Sequence, residues 1–152
     1  MKEIRVALGA RSYNIKIEQE MINVLNKHIP AYENKALITT PIINEIYRKN
    51  IESIENCKVI IVPDGEDAKQ WYIAEKLIGD LLEGKLDRNS TIISPGGGAV
   101  EDLVGFTASI YLRGVDVIHI PTTLLAMVDS SIGGKTAVNH PKGKNLVGSF
   151  DK

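Results

Sequence analysis

Three stretches of this 152-residue chain gather residue types that bind small charged molecules. The first is Gly96-Gly97-Gly98, set between the apolar run Thr91–Ser94 and a helical pattern reaching Leu112. Glycine has no Cβ, so backbone N–H groups there can approach a phosphate closely, and a helix N-terminus adds partial positive charge. The dinucleotide fingerprint G-x-G-x-x-G would put glycine at 101, where Glu101 stands. On the residues alone, a tight turn and a pyrophosphate loop of other spacing both stay open. The second stretch is Pro63–Lys69, where Asp64, Glu66 and Asp67 crowd the expected start of a helix. These acids either complement the helix dipole or accept hydrogen bonds from ribose hydroxyls. Lys69 lies one helical turn after Glu66, so the two could pair or reach one ligand.

The third stretch is DSSIGGKTAVNHPKGKN, residues 129–145. Gly134-Lys135-Thr136 invites a Walker A reading, but that motif needs glycine at 129, and Asp129 would set a carboxylate where phosphate must nestle. A nucleotide triphosphatase is therefore set aside. The polar composition reads as a solvated loop. Against that, Gly133-Gly134 beside Lys135 suggests backbone brought close to a charged group, and Lys135, Lys142, Lys144 and Asn145 could together meet a phosphate or carboxylate. His119, in an apolar strand, reads as a hydrogen-bonded core residue. His140 precedes Pro141, so it is extended and could carry a proton. No paired cysteines, H-E-x-x-H, histidine cluster or serine elbow occurs in the sequence, so its spacing offers neither a zinc site nor a serine nucleophile.

Composition bounds what these stretches can serve. The length suits one domain spanning 1–152, and a chain of that size buries a core without staples. Lys plus Arg is 18 and Asp plus Glu is 19, so no basic excess drives nucleic-acid or membrane-surface binding. The single Cys57 cannot form an internal disulfide and reads as a small buried residue in CKVIIV. MKEIRVALG reads as a strand, not a signal peptide, and no apolar run reaches membrane-spanning length. A reducing, cytoplasmic setting is expected. Residues 95–150 hold only 8 charged side chains but 9 of the 13 glycines. Charge lost and glycine gained mark tightly packed backbone or a ligand surface within one domain.

The elements that must position these residues alternate between strand and helix. Residues 3–8 and 12–17 read as a strand pair around Gly9-Ala10-Arg11. Glu18–Lys27 reads as a helix with Met21, Ile22, Val24 and Leu25 on its apolar side. Ala36–Thr39 is a strand, and Pro41 opens a helix to about Arg48. Lys58–Val62 is a strand, after which Asp64 is expected to cap a helix with apolar face Trp71, Ala74, Leu77, Ile78, Leu81 and Leu82, closed by Gly84. Thr91–Ser94 and Val115–Ile120 complete the strands. Short apolar strands separated by helices predict an α/β fold with a mainly parallel sheet, helices on both faces, and an N-terminal strand pair. Ligands of such sheets sit beyond the strands' carboxyl ends. The loops Pro63–Lys69, Pro95–Asp102 and Pro121–Thr123 all fall on that edge.

PGGGAVEDLVGF, YLRGVDVIHIPTTLLAMVDSSIGGKTAVNHPKGKNLVGSF and PDGEDAK together closely resemble the 3-dehydroquinate synthase family of the shikimate pathway. The resemblance covers essentially the whole chain, but only the N-terminal domain of that enzyme. It implies a Rossmann-like NAD-binding domain, with the zinc or cobalt ligands in a helical domain beyond Lys152, so this chain alone is expected to be inactive. The family converts 3-deoxy-arabino-heptulosonate 7-phosphate to 3-dehydroquinate by transient oxidation, phosphate elimination, re-reduction and intramolecular aldol closure, with NAD regenerated. Carried over by motif, Gly97, Gly98, Ala99 and Asp102 contact NAD, and Thr122, Thr123 and Leu125 hold its other half. Asp64, Glu66 and Lys69 meet the adenosine side. Asp129 binds a substrate hydroxyl, Lys135 and Asn145 bind the substrate phosphate, and Lys135 and Lys144 also serve the cofactor. Arg113 resembles the residue that reaches the phosphate from a neighbouring subunit, which implies a homodimer. Two departures stand out. Thr40 and Pro41 replace the family's usual Asn or Asp at the adenosine ribose, and Glu101 replaces a small residue and is expected to face solvent.

Three other readings carry a discriminating feature each. Another sugar-phosphate cyclase, of the aminodehydroquinate, epi-valiolone or deoxy-scyllo-inosose type, would share the domain and differ in substrate. A non-catalytic dinucleotide-binding module would show no metal half. A polyol dehydrogenase of related fold would not need the Lys135–Asn145 cluster and would give net hydride transfer to free NAD⁺.

Overall fold

The computed structural model describes residues 1–19, 27–29 and 33–150. Most of the helix expected over Glu18–Lys27 lies outside the described residues. The strand pair appears as β1 (Lys2–Val6) and β2 (Tyr13–Ile17), antiparallel about a 3-10 turn at Gly9–Arg11. A four-stranded sheet follows, made of β3 (Lys35–Thr39), β4 (Cys57–Ile61), β5 (Thr91–Gly96) and β6 (Asp116–Pro121). Its order is β4-β3-β5-β6 and every pairing is parallel. The helices are α1 (Pro41–Ile46), α2 (Arg48–Glu52), α3 (Trp71–Glu83), α4 (Gly98–Ile110) and α5 (Leu124–Val128). A final antiparallel hairpin joins β7 (Lys135–His140) to β8 (Gly143–Phe150).

Strand periodicity sorts the core into two layers. All of β3 is buried, as a central parallel strand must be. Its Leu37 joins Ile51, Ile54, Ile93 and Ile120 on one face of the sheet. Ala36 and Ile38 alternate to the other face, where α3 and α4 supply Leu77, Leu81, Leu103 and Val104. The hairpin adds Val138 to this second core, so α4 is covered by the sheet below and by β7 above. That double cover explains why eight of its thirteen residues are buried, against the single stripe of a surface helix. Gly105 marks the closest approach, since a Cβ there would overlap the Thr136 methyl group.

Several elements differ from the sequence expectation for physical reasons. Asp64 caps a 3-10 turn at Gly65–Lys69, not a helix, by accepting from the Gly65 N–H at 2.9 Å. α3 then opens at Trp71 with no side-chain cap. Its buried face is Ile73, Ala74, Leu77 and Leu81, while Trp71 and Leu82 are exposed, because the helix starts later and sits rotated from the assumed stripe. α4 stops at Ile110, and Leu112 has φ 49°, which no helix continues. The stretch 129–145, read as a solvated loop, supplies all of β7 and the start of β8. Thr136 and Val138 face α4 in alternation, a signal that polar neighbours hid. Cys57 is half-buried, and burial pushes its thiol up to about 11.

Candidate functional site

The chain crosses from β3 to β4 on one side and later to β5 on the other, so connections diverge between β3 and β5. That reversal opens a crevice beyond the carboxyl ends of the strands. The Thr39 hydroxyl donates to the Pro95 carbonyl at 2.7 Å and pins the two strand ends together there. Gly97 caps α4 without a side chain, and the N–H groups of Gly98 and Ala99 open the helix with no intrahelical acceptor. A Cβ on Gly97 would touch the Thr123 methyl at 3.4 Å, and one on Gly98 would lie 3.5 Å from the Ser130 hydroxyl. Loop, strand end and α5 thus form one narrow cradle. The Thr122 N–H donates to the Gly96 carbonyl at 2.8 Å, and Thr123 caps α5 by accepting from the Ala126 N–H at 3.2 Å. Leu125 stands exposed on α5.

A hydrogen-bonded cluster lies beside this cradle. Lys69, 5% exposed, donates to Asp102 Oδ2 at 2.6 Å and to Asn145 Oδ1 at 2.5 Å. The Asn145 N–H donates to Asn139 Oδ1 at 3.0 Å, and Asn139 Nδ2 donates to Glu66 Oε1 at 2.8 Å. Lys144 reaches the same Glu66 oxygen at 3.9 Å from solvent. Glu66 and Lys69 therefore do not pair with each other; each turns to the hairpin or α4. Burial pushes the Asp102 carboxyl above its ordinary value. The Lys69 hydrogen bond and charge pull it back, and Asp129 and Glu66 add to the rise.

Adjacent residues of α4 serve the two regions. Asp102 faces Lys69, while Glu101 faces Ser130 and accepts its hydroxyl hydrogen bond. The expectation that Glu101 faces solvent is overturned, because it is 1% exposed. Ser130 follows Asp129, whose own carboxylate is exposed at the end of α5 and whose carbonyl accepts from Ile132 and Gly133. Thr40, at the departure beside β3, is buried, and its hydroxyl is taken by the Ile43 N–H as the cap of α1.

The structure brings Glu66, Lys69, Asp102, Lys144 and Asn145 into one cluster. It sets Gly97, Gly98, Ala99, Thr122 and Thr123 around the cradle, and Asp129 close enough to raise Asp102. Asp64 is exposed on the 3-10 turn, away from those contacts. Two more residues stand apart. Lys135 opens β7 opposite Phe150, about 13 Å along the strand from Asn139. Arg113 is exposed just past the far end of α4, about 20 Å from Gly98 along a thirteen-residue helix. Sequence reasoning missed Asn139 and Ser130. Asn139 turns inward at a register shift between Val138 and His140, which no residue pattern announces. His119 is half-buried on β6, as its apolar strand suggests, while His140 is exposed and takes the Lys142 N–H on Nδ1. Among the described residues no three His, Cys, Asp or Glu side chains gather to hold a metal ion. No helix among them is long and apolar enough to cross a membrane.

Solved structures similar to this chain include a 2-deoxy-scyllo-inosose synthase complexed with carbaglucose-6-phosphate, NAD⁺ and Co²⁺. It is 24% identical, with a TM-score of 0.86 over 99% of this chain and 42% of that one. A 2-epi-5-epi-valiolone synthase from Streptomyces hygroscopicus, with NAD⁺ and Zn²⁺ bound, is 23% identical with a TM-score of 0.85 over 96% of this chain and 42% of its own. These likenesses establish a Rossmann-like fold. In sequence, the 3-dehydroquinate synthase of Thermodesulfovibrio yellowstonii is 44% identical over 99% of this chain and 44% of its own length. That of Azotobacter vinelandii is 42% identical over 99% of this chain and 42% of its own. The chain thus spans less than half the length of these curated relatives. Residues 59–152 match the family described as 3-dehydroquinate synthase N-terminal, and the chain belongs to the 3-dehydroquinate synthase family.

Proposed function

We propose that this chain is the NAD-binding N-terminal domain of a 3-dehydroquinate synthase, which converts 3-deoxy-arabino-heptulosonate 7-phosphate to 3-dehydroquinate and phosphate. One observation carries the reading. Lys69 joins Asp102, from the helix that opens at the glycine cradle, to Asn145, from the motif expected to meet phosphate. Cofactor and phosphate determinants thereby share one buried cation at the crevice of a parallel sheet.

The residues fit a dinucleotide. The open N–H groups of Gly98 and Ala99 suit a pyrophosphate, and the cradle would be narrowed by any Cβ at Gly97. When bound, NAD supplies reversible oxidation of a ring hydroxyl and is regenerated in the cycle. Thr122, Thr123 and Leu125 hold the other half of the cofactor in this reading. Glu66, with Asp64, accepts from the adenosine ribose, and Lys69 keeps Asp102 oriented while offering positive charge to the cofactor. Asp129 binds a substrate hydroxyl. Asn145 and Lys144 orient the phosphate, whose own oxygen takes the proton lost on elimination. Lys135 serves phosphate and cofactor from the open end of the hairpin, and Arg113 serves the phosphate of a second copy, so the active unit is a homodimer. The described residues do not assemble a zinc or cobalt site. In this reading its ligands lie in the part of the relatives that this chain does not span. A cytoplasmic location belongs to the same proposal.

The test is a calorimetric titration of the chain with NAD⁺, with NADP⁺ as control. Saturable binding of NAD⁺ alone supports the reading. A folded chain that ignores both cofactors sinks it. A second reading, another sugar-phosphate cyclase, is favoured by the names of the similar solved structures. Turnover by the holoenzyme of heptulosonate phosphate against heptulose phosphate separates the two.

A further inference from the structure

α5 and the turn after it carry few anchors. Ala126 is the one buried residue of α5, while Leu124, Leu125 and Val128 are each more than 60% exposed. Polar contacts among the described residues tie the segment down. Thr123 caps its start, the Tyr13 hydroxyl donates to the Ile132 carbonyl at 2.8 Å, and the Ser130 hydroxyl donates to Glu101. The last joins the segment to the first turn of α4, and Ser130 Oγ also lies above Gly98 of the cradle. Next to Ser130, Asp129 offers its backbone carbonyl to Ile132 at 3.1 Å and Gly133 at 2.7 Å, which closes a tight turn. Its side chain has no such constraint and stays exposed. A carboxyl group as buried as that of Glu101 is costly to keep unless it is hydrogen-bonded, and Ser130 supplies such a bond.

We infer that Glu101 is a positioning residue. Through Ser130 it holds the Asp129 turn over the glycine cradle, so the substrate-facing carboxylate and the cofactor loop keep a fixed separation. The role of Asp129 in this statement rests on the proposed function. The strut itself rests on the Glu101–Ser130 bond.

Hydrogen exchange of the chain tests the strut without any ligand. Ser130→Ala speeds exchange at the Ile132 and Gly133 amides by about tenfold, the scale of one side-chain hydrogen bond. Glu101→Ala does the same, the double variant adds nothing further, and Glu101→Gln, which keeps an accepting oxygen, is close to the parent. Additive effects, faster exchange spread along α4, or Glu101→Gln as damaging as Glu101→Ala would each overturn the inference. In the NAD-loaded holoenzyme, Ser130→Ala raises KM for the sugar phosphate while NAD⁺ affinity holds. An equal loss of affinity for both ligands means a general structural prop and refutes positioning. If Asp129→Ala leaves KM unchanged, the assigned role of Asp129 fails instead, and the exchange pattern still decides the strut.

Discussion

Replacing Lys69 with methionine removes the charge from the centre of the cluster and keeps most of the stem's packing. The side chains of Lys69 and Asp102 are 6% and 24% exposed, so the pair is mostly but not wholly dry. Removing one partner of a fully buried pair costs about 3–5 kcal/mol. Water reaching Asp102 reduces that to about 2 kcal/mol, and Asn145, being exposed, finds water in place of the lost donor. At this chain length the melting temperature falls by about 4–8 °C at neutral pH. The pH dependence gives the sharper check. Asp102 already titrates above 3.8 in the folded chain, since burial outweighs Lys69. A raised folded value contributes stability below the unfolded pKa and loses it as pH rises through the folded one. Lys69→Met deletes both influences that lower the value, so it climbs further and the neutral-pH deficit grows. Thermal melts by circular dichroism from pH 7 to pH 4 therefore show the variant recovering part of its deficit as acid protonates Asp102. A deficit of the same size at every pH, or no deficit at all, refutes the claim that Lys69 chiefly offsets a buried carboxylate.

Gly98→Ala places its methyl 3.5 Å from Ser130 Oγ, an ordinary contact, so melting changes little while NAD⁺ affinity in calorimetry falls by about tenfold or more. Gly96→Ala instead drives a methyl within 2.8 Å of Val100 Cβ and destabilises the chain by about 1–3 kcal/mol in urea titrations. With its thiol raised to about 11, Cys57 alkylates roughly a hundredfold slower than a free thiol at pH 8, and unfolding in urea restores the ordinary rate. Lys144, 74% exposed and 3.9 Å from Glu66, can be changed to alanine within about 0.5 kcal/mol of parent stability. If it serves the anionic ligands, that same variant weakens NAD⁺ binding and steepens nothing in the melt.

The order of strands and helices was legible because ALIT, VII and TIIS are apolar runs between turn signals, and parallel sheets bury such runs on both faces. The edge that carries the candidate site was legible for the same reason. What could not be read was where polar side chains turn once packed. Lys69 finds its carboxylate partner, Asp102, thirty-three positions away, a pairing that no sequence window contains. Glu101 looked like a surface charge because its acceptor role depends on Ser130, brought over by the turn after α5. The hairpin was hidden by its own chemistry. Lys135, Asn139, Lys142 and Lys144 suggest solvent, yet Thr136, Val138 and Asn139 are the residues that pack. Asp64 was a sound cap signal attached to the wrong helix, because a single 3-10 turn intervenes before Trp71.

α4 also limits how this chain can change length over time. Its successive positions are assigned to different neighbours: Gly98 to the cradle, Glu101 to Ser130, Asp102 to Lys69, Gly105 to Thr136. Inserting one residue among them would turn everything downstream by about 100° and shift it about 1.5 Å along the axis. The Glu101 and Asp102 contacts and the seat of the hairpin could not then be met together, and no rotamer change repairs a rotation of that size. Insertions and deletions should therefore be tolerated at the tip between β1 and β2, where Gly9 and Ala10 are exposed, and excluded between Gly98 and Gly105.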